Sequence, residues 1–263
     1  MAMPYSDNPL EPQPLLALTS KADYASRVSE IVHRVSGASD EAEAVELLAE
    51  AATRLGADLA VFASFARDDG SHEAFRFLLA CDPVWCHEYE RVAWYANDPW
   101  LLYALRQTDP ARISEIVPSS PEQRGVVELA ERFGCRSAVI VPAPSSGQLS
   151  RVGVLCLGSS TPGFFDDDGG FVVLKVAARA LAMELHQWWI GQLRRELLTT
   201  AHLVEEDLVL LRLERQGVGT KAIASRLDAT ENSINSRFQR ITLRLGVANR
   251  KAAAAVAAEY GLI

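Results

Sequence analysis

Residues 136–158 have the sequence RSAVIVPAPSSGQLSRVGVLCLG, which contains two runs of mainly aliphatic residues. The first run covers residues 136–141, the second covers 151–158, and Pro144-Ser145-Ser146-Gly147 lies between them. Aliphatic runs of this length, bounded by proline, serine and glycine, are typical of β-strands joined by a turn. The stretch therefore predicts two neighbouring antiparallel strands.

A second hairpin is predicted upstream, where the runs 58–67 and 73–80 flank the turn-forming residues Asp68-Asp69-Gly70. Between the two hairpins lies an aromatic-rich segment, 84–103, whose helical pattern is interrupted at Asn97-Asp98-Pro99. Antiparallel hairpins separated by helical segments indicate an α+β domain, in which helices flank an antiparallel sheet as an α-β-α sandwich.

Three further segments have helical patterns. Residues 40–55 begin with an aspartate suited to capping a helix and are followed by Gly56, which favours a helix end. Another helix is predicted to begin at Ser120-Pro121 and to end at Gly134. The longest segment, 171–198, places large apolar residues near one face: Leu174, Leu181, Leu185, Trp188 and Leu193.

The 263 residues are 49% hydrophobic with a net charge of −8, which fits an ordinary soluble protein of one or two domains. Acidic residues outnumber basic ones by 34 to 26, which argues against a protein that binds nucleic acid over its whole surface but leaves room for a local basic patch. The four cysteines form no CxxC pair, which favours free thiols in a reducing cytosol.

Residues 1–19 are predicted to be a disordered proline-rich tail, and no secretory signal or apolar stretch of roughly 20 residues is apparent. We expect a cytoplasmic protein with no membrane association. The predicted divisions are a sensor domain over 20–198, a linker over 199–203 and a small all-α domain over 204–263.

The C-terminal part differs in charge as well as in pattern. Residues 198–263 carry nine basic and seven acidic residues, so the acidity belongs to the larger domain. Four short helices are predicted here, over 205–216, 220–227, 231–245 and 250–259. The second and third, joined at Asp228-Ala229-Thr230, are a helix-turn-helix candidate whose second helix would enter the major groove of DNA.

A helical wheel of residues 231–245 separates an apolar face from a polar one. Ile234, Phe238, Ile241 and Leu245 share the apolar face, which predicts packing into a small core. Amide and guanidinium groups contact base edges, and Lys, Ser and Arg contact phosphates. The predicted DNA-binding residues are Lys221, Asn232, Asn235, Ser236, Arg237, Gln239, Arg240 and Arg244.

The C-terminal segment contains an ordered series of residues: Asp207, Leu211, Gly217, Lys221, Ile223-Ala224, Leu227, Thr230-Glu231, Ile234, Leu245-Gly246-Val247 and Asn249-Arg250. In order and spacing this series resembles the LuxR-type (GerE) DNA-binding domain. The resemblance implies that the final helix mediates dimerisation. Asn232 and Asn235 stand where this family usually has lysine, and Ala222 where it usually has glutamate, which implies weaker phosphate affinity. Leu243 is apolar at an outward position, which suggests a protein contact.

The aromatic segment resembles the autoinducer-binding domain of quorum-sensing regulators, through Trp85, Tyr89 and the Asp98-Pro99 pair. In that family these positions line the pocket for an acyl-homoserine lactone. The resemblance implies that Asp98 accepts a ligand amide N–H and that Trp85 donates to a ligand carbonyl. The other predicted ligand-binding positions depart from the family: Cys81 replaces a tyrosine, Ile113 replaces a tryptophan, and Trp100 stands where a smaller residue is usual. Ala138 replaces a glycine.

Together these features predict a ligand-responsive, DNA-binding transcriptional regulator of the LuxR type, acting as a homodimer on an operator with dyad symmetry. The ligand would be an acyl-homoserine lactone or another small molecule, or none would be needed. Two alternatives remain open: an anti-activator that heterodimerises with a related regulator, and a helical packing domain without DNA affinity. No cofactor motif, metal-ligand spacing or catalytic constellation is visible, so we do not expect an enzyme.

Overall fold

The computed structural model describes residues 15–66, 75–91, 96–145 and 151–263. Five strands in this part form one antiparallel sheet in the order β2-β1-β5-β4-β3. Their bounds are β1 Leu59–Ala66, β2 Arg76–Ala80, β3 Ala111–Arg112, β4 Ser137–Pro144 and β5 Arg151–Ser159. The four strands predicted from the sequence are confirmed, and β5 lies between β1 and β4 at the centre of the sheet.

The described α-helices fall into an N-terminal group and a C-terminal group. The first group is α1 Leu15–Thr19, α2 Tyr24–Val35, α3 Glu41–Leu55, α4 Pro83–Arg91, α5 Pro99–Arg106, α6 Pro121–Arg132 and α7 Asp168–Thr200. The second group is α8 Glu205–Arg215, α9 Thr220–Arg226, α10 Glu231–Arg244 and α11 Arg250–Glu259.

One face of the sheet packs against α2, α3 and α7, and this interface is the largest core of the protein. Phe62 and Leu155 come from the sheet, and α7 contributes the predicted residues Leu174, Leu181 and Leu185, all fully buried. Burial of one such side chain stabilises the fold by about 1.5–3 kcal/mol. The opposite face packs against α5 and α6, so the α+β prediction of a sheet between helices is confirmed.

Helix ends follow the predicted capping residues. Asp40 accepts a hydrogen bond from the Glu43 backbone N–H at 2.9 Å, and Gly56 ends α3 in the left-handed region at φ 87°. The Ser120 hydroxyl caps α6 through the Gln123 N–H at 3.3 Å. The Asp167 carboxylate caps α7, so the acidic run around it is a helix N-terminus.

Two predicted boundaries are wrong. Residues 15–19 form α1 rather than tail, because Leu15 is buried against α7 at Gly170, where a β-carbon would lie 2.6 Å from the Leu15 Cγ. The predicted linker begins inside α7, which continues to Thr200. Leu198 and Ala201 pack into the C-terminal core, and the chain turns only at His202, with φ 45°.

Other predicted features lie outside the described residues. These are the tail over 1–14 and the turn Asp68-Asp69-Gly70. The second turn is described only as far as Ser145, so Ser146-Gly147 also lies outside this part of the chain.

The C-terminal helices α8 to α11 enclose a separate core. Ile234, Phe238 and Ile241 of α10 are buried in it, and Leu245 is partly buried, as the wheel predicts. The four predicted helices are confirmed to within one residue at each end. Among the described residues, no helix has the length and apolar character needed to cross a membrane.

Candidate functional site

A cavity of about 310 Å³ lies between the sheet and α4, α5 and α6, on the face opposite α7. Its walls are mainly apolar and include Val61 and Ala63 of β1 and Val154 of β5. The volume falls at the lower end of the range for small-molecule sites, about 300–1,000 Å³. Five of the six predicted ligand-binding residues line it: Cys81, Trp85, Tyr89, Asp98 and Trp100.

Asp98 is the central polar group of this cavity, and only 4% of its surface is exposed. Its carboxylate caps α5 by accepting the Trp100 N–H at 2.7 Å and the Leu101 N–H at 3.2 Å. It also accepts the Tyr89 hydroxyl proton at 2.7 Å. Burial raises the pKa of Asp98 above its ordinary value, although these three hydrogen bonds oppose the shift.

The hydrogen bonds limit what the pair can offer a ligand. A carboxylate has about four acceptor positions, and protein donors occupy three of them, so Asp98 keeps about one. Tyr89 uses its single O–H on Asp98, and its ring stacks on Trp85 with centroids 5.0 Å apart. Asp98 and Tyr89 therefore hold the cavity wall together as well as facing the cavity.

Trp100 and Ile113 occupy different environments. Trp100 is buried in the cavity wall, and its Nε1 has no hydrogen-bond partner among the described residues. Ile113 is not part of the lining. It follows the short edge strand β3 and packs against the adjoining core, so the structure does not bring it together with the other five predicted residues.

Sequence analysis missed three cavity residues that carry chemistry. Cys135 and Cys156 line the cavity together with Cys81. Cys156 could have been found from strand periodicity, because it lies two residues after Val154 and therefore on the same face of β5. Cys135 offered no such signal, because it lies in the short connection between α6 and β4.

The third missed residue, Asp58, lies at the cavity margin beside Ser159 and Ser160. Its carboxylate accepts both serine hydroxyls, at 3.0 and 2.7 Å, and the Ser160 N–H at 2.7 Å. Partial burial raises the pKa of Asp58, but the three hydrogen bonds outweigh it and the net shift is downward. Asp58 therefore remains a charged group that fixes the end of β5.

A Ser–His contact lies on the other face of the sheet. His186 of α7 is fully buried, and its Nε2 lies 2.7 Å from the Ser145 hydroxyl. The Ser145 hydroxyl donates to the Arg151 carbonyl at 2.5 Å, so His186 must supply the proton between them. Burial, with a contribution from Arg151, lowers the pKa of His186 to about 4. This arrangement does not activate the serine as a nucleophile.

The outward face of α10 differs from the cavity, because its polar side chains are exposed to solvent. Six of the residues predicted to contact DNA are exposed, one on α9 and five on α10: Lys221, Asn232, Asn235, Ser236, Gln239 and Arg240. Thr230 caps the helix through the Ser233 N–H at 3.2 Å, so the positive end of the α10 dipole lies beside this face.

Arg237 and Arg244 are engaged within the protein. Both face Asp207 of α8, a buried carboxylate, at 3.5 Å and 2.7 Å. Arg244 also donates to the His202 carbonyl at 2.5 Å. A helical wheel of α10 shows that these arginines point away from the core. It contains no information about other helices, so it cannot predict their ion pairs with Asp207 of α8.

A family model for the autoinducer binding domain matches residues 40–187, more than half of the chain. The chain belongs to this family. The matched segment contains β1 to β5 and the whole cavity lining described above. A search of curated protein sequences gives no match.

Solved structures extend the likeness of the autoinducer-binding domain to the fold of nearly the whole chain. Escherichia coli SdiA matches with a TM-score of 0.68 at 18% identity, covering 92% of this chain and 99% of its own. SdiA in complex with octanoyl-rac-glycerol matches at 0.67 and 18%, covering 92% and 98%. The N-acylhomoserine-lactone-dependent LuxR family transcription factor CepR2 from Burkholderia cenocepacia matches at 0.56 and 18%, covering 65% and 99%.

Proposed function

We propose that this protein is a ligand-responsive, DNA-binding transcriptional regulator of the quorum-sensing LuxR type. The observation that carries the proposal is the pairing of two features in one chain. An autoinducer-binding domain encloses a cavity of ligand size, and α10 presents a row of solvent-exposed amide, hydroxyl and guanidinium groups over its own core.

The cavity favours a small ligand with an apolar chain and one polar head group. Asp98 has about one acceptor position left for a ligand N–H or O–H, and the Trp85 indole N–H is suited to a ligand carbonyl. The SdiA structure holds an octanoyl glycerol. An acyl-homoserine lactone or another acyl compound with a compact head is the ligand class we propose here.

In the C-terminal domain we propose that α10 enters the major groove. Asn232, Asn235, Gln239 and Arg240 would contact base edges, while Ser236 and Lys221 would contact phosphates. Arg237 and Arg244 have a different role, because their charges are largely used in holding α10 against Asp207. Binding as a homodimer to a site with dyad symmetry would double this modest set of contacts.

Strand β5 offers a physical connection between the two sites. Val154 and Cys156 line the cavity, while Arg151 at the start of the same strand interacts electrostatically with Tyr260, the residue that follows α11. Arg194 of α7 donates to the Tyr260 carbonyl at 2.5 Å. A ligand that stabilises one arrangement of this junction would shift the population of the DNA-binding form.

The proposal is tested by selecting sequences from a randomised DNA library with the purified full-length protein, in the presence and absence of N-octanoyl-homoserine lactone. We expect enrichment of a dyad-symmetric sequence, with an affinity that falls steeply as salt rises, because phosphate contacts release counterions. Failure to enrich any sequence at low salt under either condition would contradict the proposal.

A second candidate function is an anti-activator that pairs with a related regulator. It is favoured by Leu243, which is 83% exposed on α10 and lies with Val204 and Arg240 around a shallow surface depression. Capture of a LuxR-type regulator by a protein that selects no DNA would support this role. Loss of that capture in Leu243→Ser, with Val117→Ser as an exposed control elsewhere, would assign it to this surface.

A further inference from the structure

Trp100 carries a buried hydrogen-bond donor that has no acceptor. The side chain is 6% exposed and lines the cavity, and its Nε1 makes no hydrogen bond within the part of the chain that the structure describes. A buried N–H without a partner destabilises a protein, because it has lost its hydrogen bonds to water. An unpaired donor in the wall of a ligand-sized cavity therefore indicates that the ligand supplies the acceptor.

The other side-chain donors of the described lining are already engaged, weak or less buried. The Tyr89 hydroxyl donates to Asp98 at 2.7 Å, and the Ser160 hydroxyl donates to Asp58 at 2.7 Å. Thiols are weak donors. The second indole of the lining, that of Trp85, belongs to a residue that is only partly buried. Within this lining, the unpaired indole N–H is therefore the strong buried donor that remains for a ligand.

Trp100 lies next to the main buried acceptor of the cavity. The Asp98 carboxylate accepts the Trp100 backbone N–H at 2.7 Å, so the indole lies within one side-chain length of that carboxylate. Three protein donors leave Asp98 about one acceptor position. A donor and an acceptor this close on the first turn of α5 match a ligand group with the complementary pair, an N–H beside a carbonyl oxygen.

We propose that the Trp100 indole N–H determines ligand specificity in this cavity and that the ligand is a secondary amide with a small apolar chain. The amide N–H donates to Asp98, and the amide carbonyl oxygen accepts the Trp100 N–H. The inference rests on the proposed function in treating the cavity as the ligand site. It narrows the ligand class, because the oxygen beside the carbonyl of an acyl ester has no hydrogen for Asp98.

The test changes one atom of a ligand. N-octanoyl-homoserine lactone and its thioamide analogue, in which sulfur replaces the acyl-amide oxygen, share the chain, the ring and the N–H. Sulfur is a weak hydrogen-bond acceptor, whereas the N–H remains a donor for Asp98. Calorimetric titration of the full-length protein with each compound gives two dissociation constants. We expect wild type to bind the thioamide about fivefold more weakly, the loss expected for one neutral hydrogen bond.

Two tryptophan variants assign the donor. Trp100→Phe keeps an aromatic ring without the N–H, so it should bind the amide about fivefold more weakly than wild type and should bind amide and thioamide equally. Trp85→Phe removes the same atoms from the partly buried indole and should keep the discrimination. Comparing the two ligands within one variant cancels the effect of the lost packing volume. Trp100→Leu, which also lacks an N–H, is the second variant if Trp100→Phe does not fold.

Discrimination that survives in Trp100→Phe, or wild type that binds amide and thioamide equally, would overturn the inference. Octanoyl-rac-glycerol that binds wild type as tightly as the lactone would overturn the amide class. Wild type that binds no lactone would also overturn the inference, while DNA selection would still decide the proposed function. Conversely, discrimination that depends on Trp100 in a protein that selects no DNA would support this inference and count against the regulator.

Discussion

The cavity and the outward face of α10 use polar residues in opposite ways. In the cavity, Asp98 and Tyr89 are buried and bond to each other and to the backbone. On α10, Gln239 and Arg240 are exposed to solvent and take no part in packing the C-terminal core. Substitutions in the cavity should therefore change stability and ligand response together, whereas substitutions on α10 should change DNA binding alone.

The largest expected effect concerns a buried polar group that belongs to neither region. The folded pKa of His186, about 4, lies below its ordinary value of 6.5. Between these pH values the unfolded chain binds a proton that the folded chain does not. The stabilisation is therefore fully present above pH 6.5 and is lost as pH falls towards about 4, by up to about 3 kcal/mol.

Chemical denaturation of wild type and His186→Gln at pH 7.5 and pH 5 measures this contribution. The difference in unfolding free energy between the two proteins should shrink at the lower pH. His33→Gln, at an exposed position on α2, is the control and should follow wild type. A constant difference across this range would show that His186 stabilises the core without titrating.

Asp207 is an exception to this contrast, since it is a buried carboxylate within the C-terminal domain. Asp207→Ala should cost about 2–3 kcal/mol of unfolding free energy, because it leaves Arg237 and Arg244 without their partner; their partial exposure keeps the cost below that of a fully buried pair. Glu206→Ala, at the exposed neighbouring position, should change stability by less than about 0.5 kcal/mol. If the two substitutions changed the unfolding free energy equally, the ion pairs of Asp207 with the two arginines would have no structural role.

Asp98→Ala should cost about 2 kcal/mol of unfolding free energy, because it removes the cap of α5 and the carboxylate that accepts the Tyr89 hydroxyl proton. Tyr89→Phe removes only the donor and should cost about 1 kcal/mol. Calorimetry of each variant with N-octanoyl-homoserine lactone should show a smaller ligand-induced rise in Tm than wild type. An unchanged rise in both variants would place the ligand elsewhere.

On α10 the expected effects fall on recognition and leave stability unchanged. Arg240→Ala should reduce discrimination at one base position by about 1–2 kcal/mol, whereas Lys221→Ala should weaken binding to all sequences alike by less than about 1 kcal/mol. Fluorescence anisotropy with the selected DNA site and its single-base variants measures both the discrimination and the overall affinity. Lys21→Ala, in the connection between α1 and α2, is the control. A uniform loss from Arg240→Ala would contradict its assignment to a base.

The sequence predicted the parts of the structure that depend on local patterns. Periodicity and capping chemistry predict strands β4 and β5, the helix cap at Asp40 and the four C-terminal helices. Contacts between residues far apart in the sequence could not be predicted from it. Leu15 packs on α7 and so holds α1 in place, and the Asp207 carboxylate forms ion pairs with two arginines of another helix.

The candidate site shows the same division. Trp85, Tyr89 and Asp98 were found because they lie close together in the sequence with a family spacing. Cys135 and Cys156 were missed because the sheet brings them together from different elements. Ile113 does not line the cavity, because a position in the family pattern does not report how far a smaller side chain reaches.

The central claim is that occupation of the cavity controls DNA binding by the C-terminal helices. It is tested most directly by measuring the affinity of the full-length protein for its selected DNA site with and without N-octanoyl-homoserine lactone or octanoyl-rac-glycerol. We predict that one of these acyl ligands changes the affinity in wild type and that Asp98→Ala abolishes the change while still binding DNA. Binding that neither ligand alters, or a ligand effect that survives in Asp98→Ala, would contradict the account.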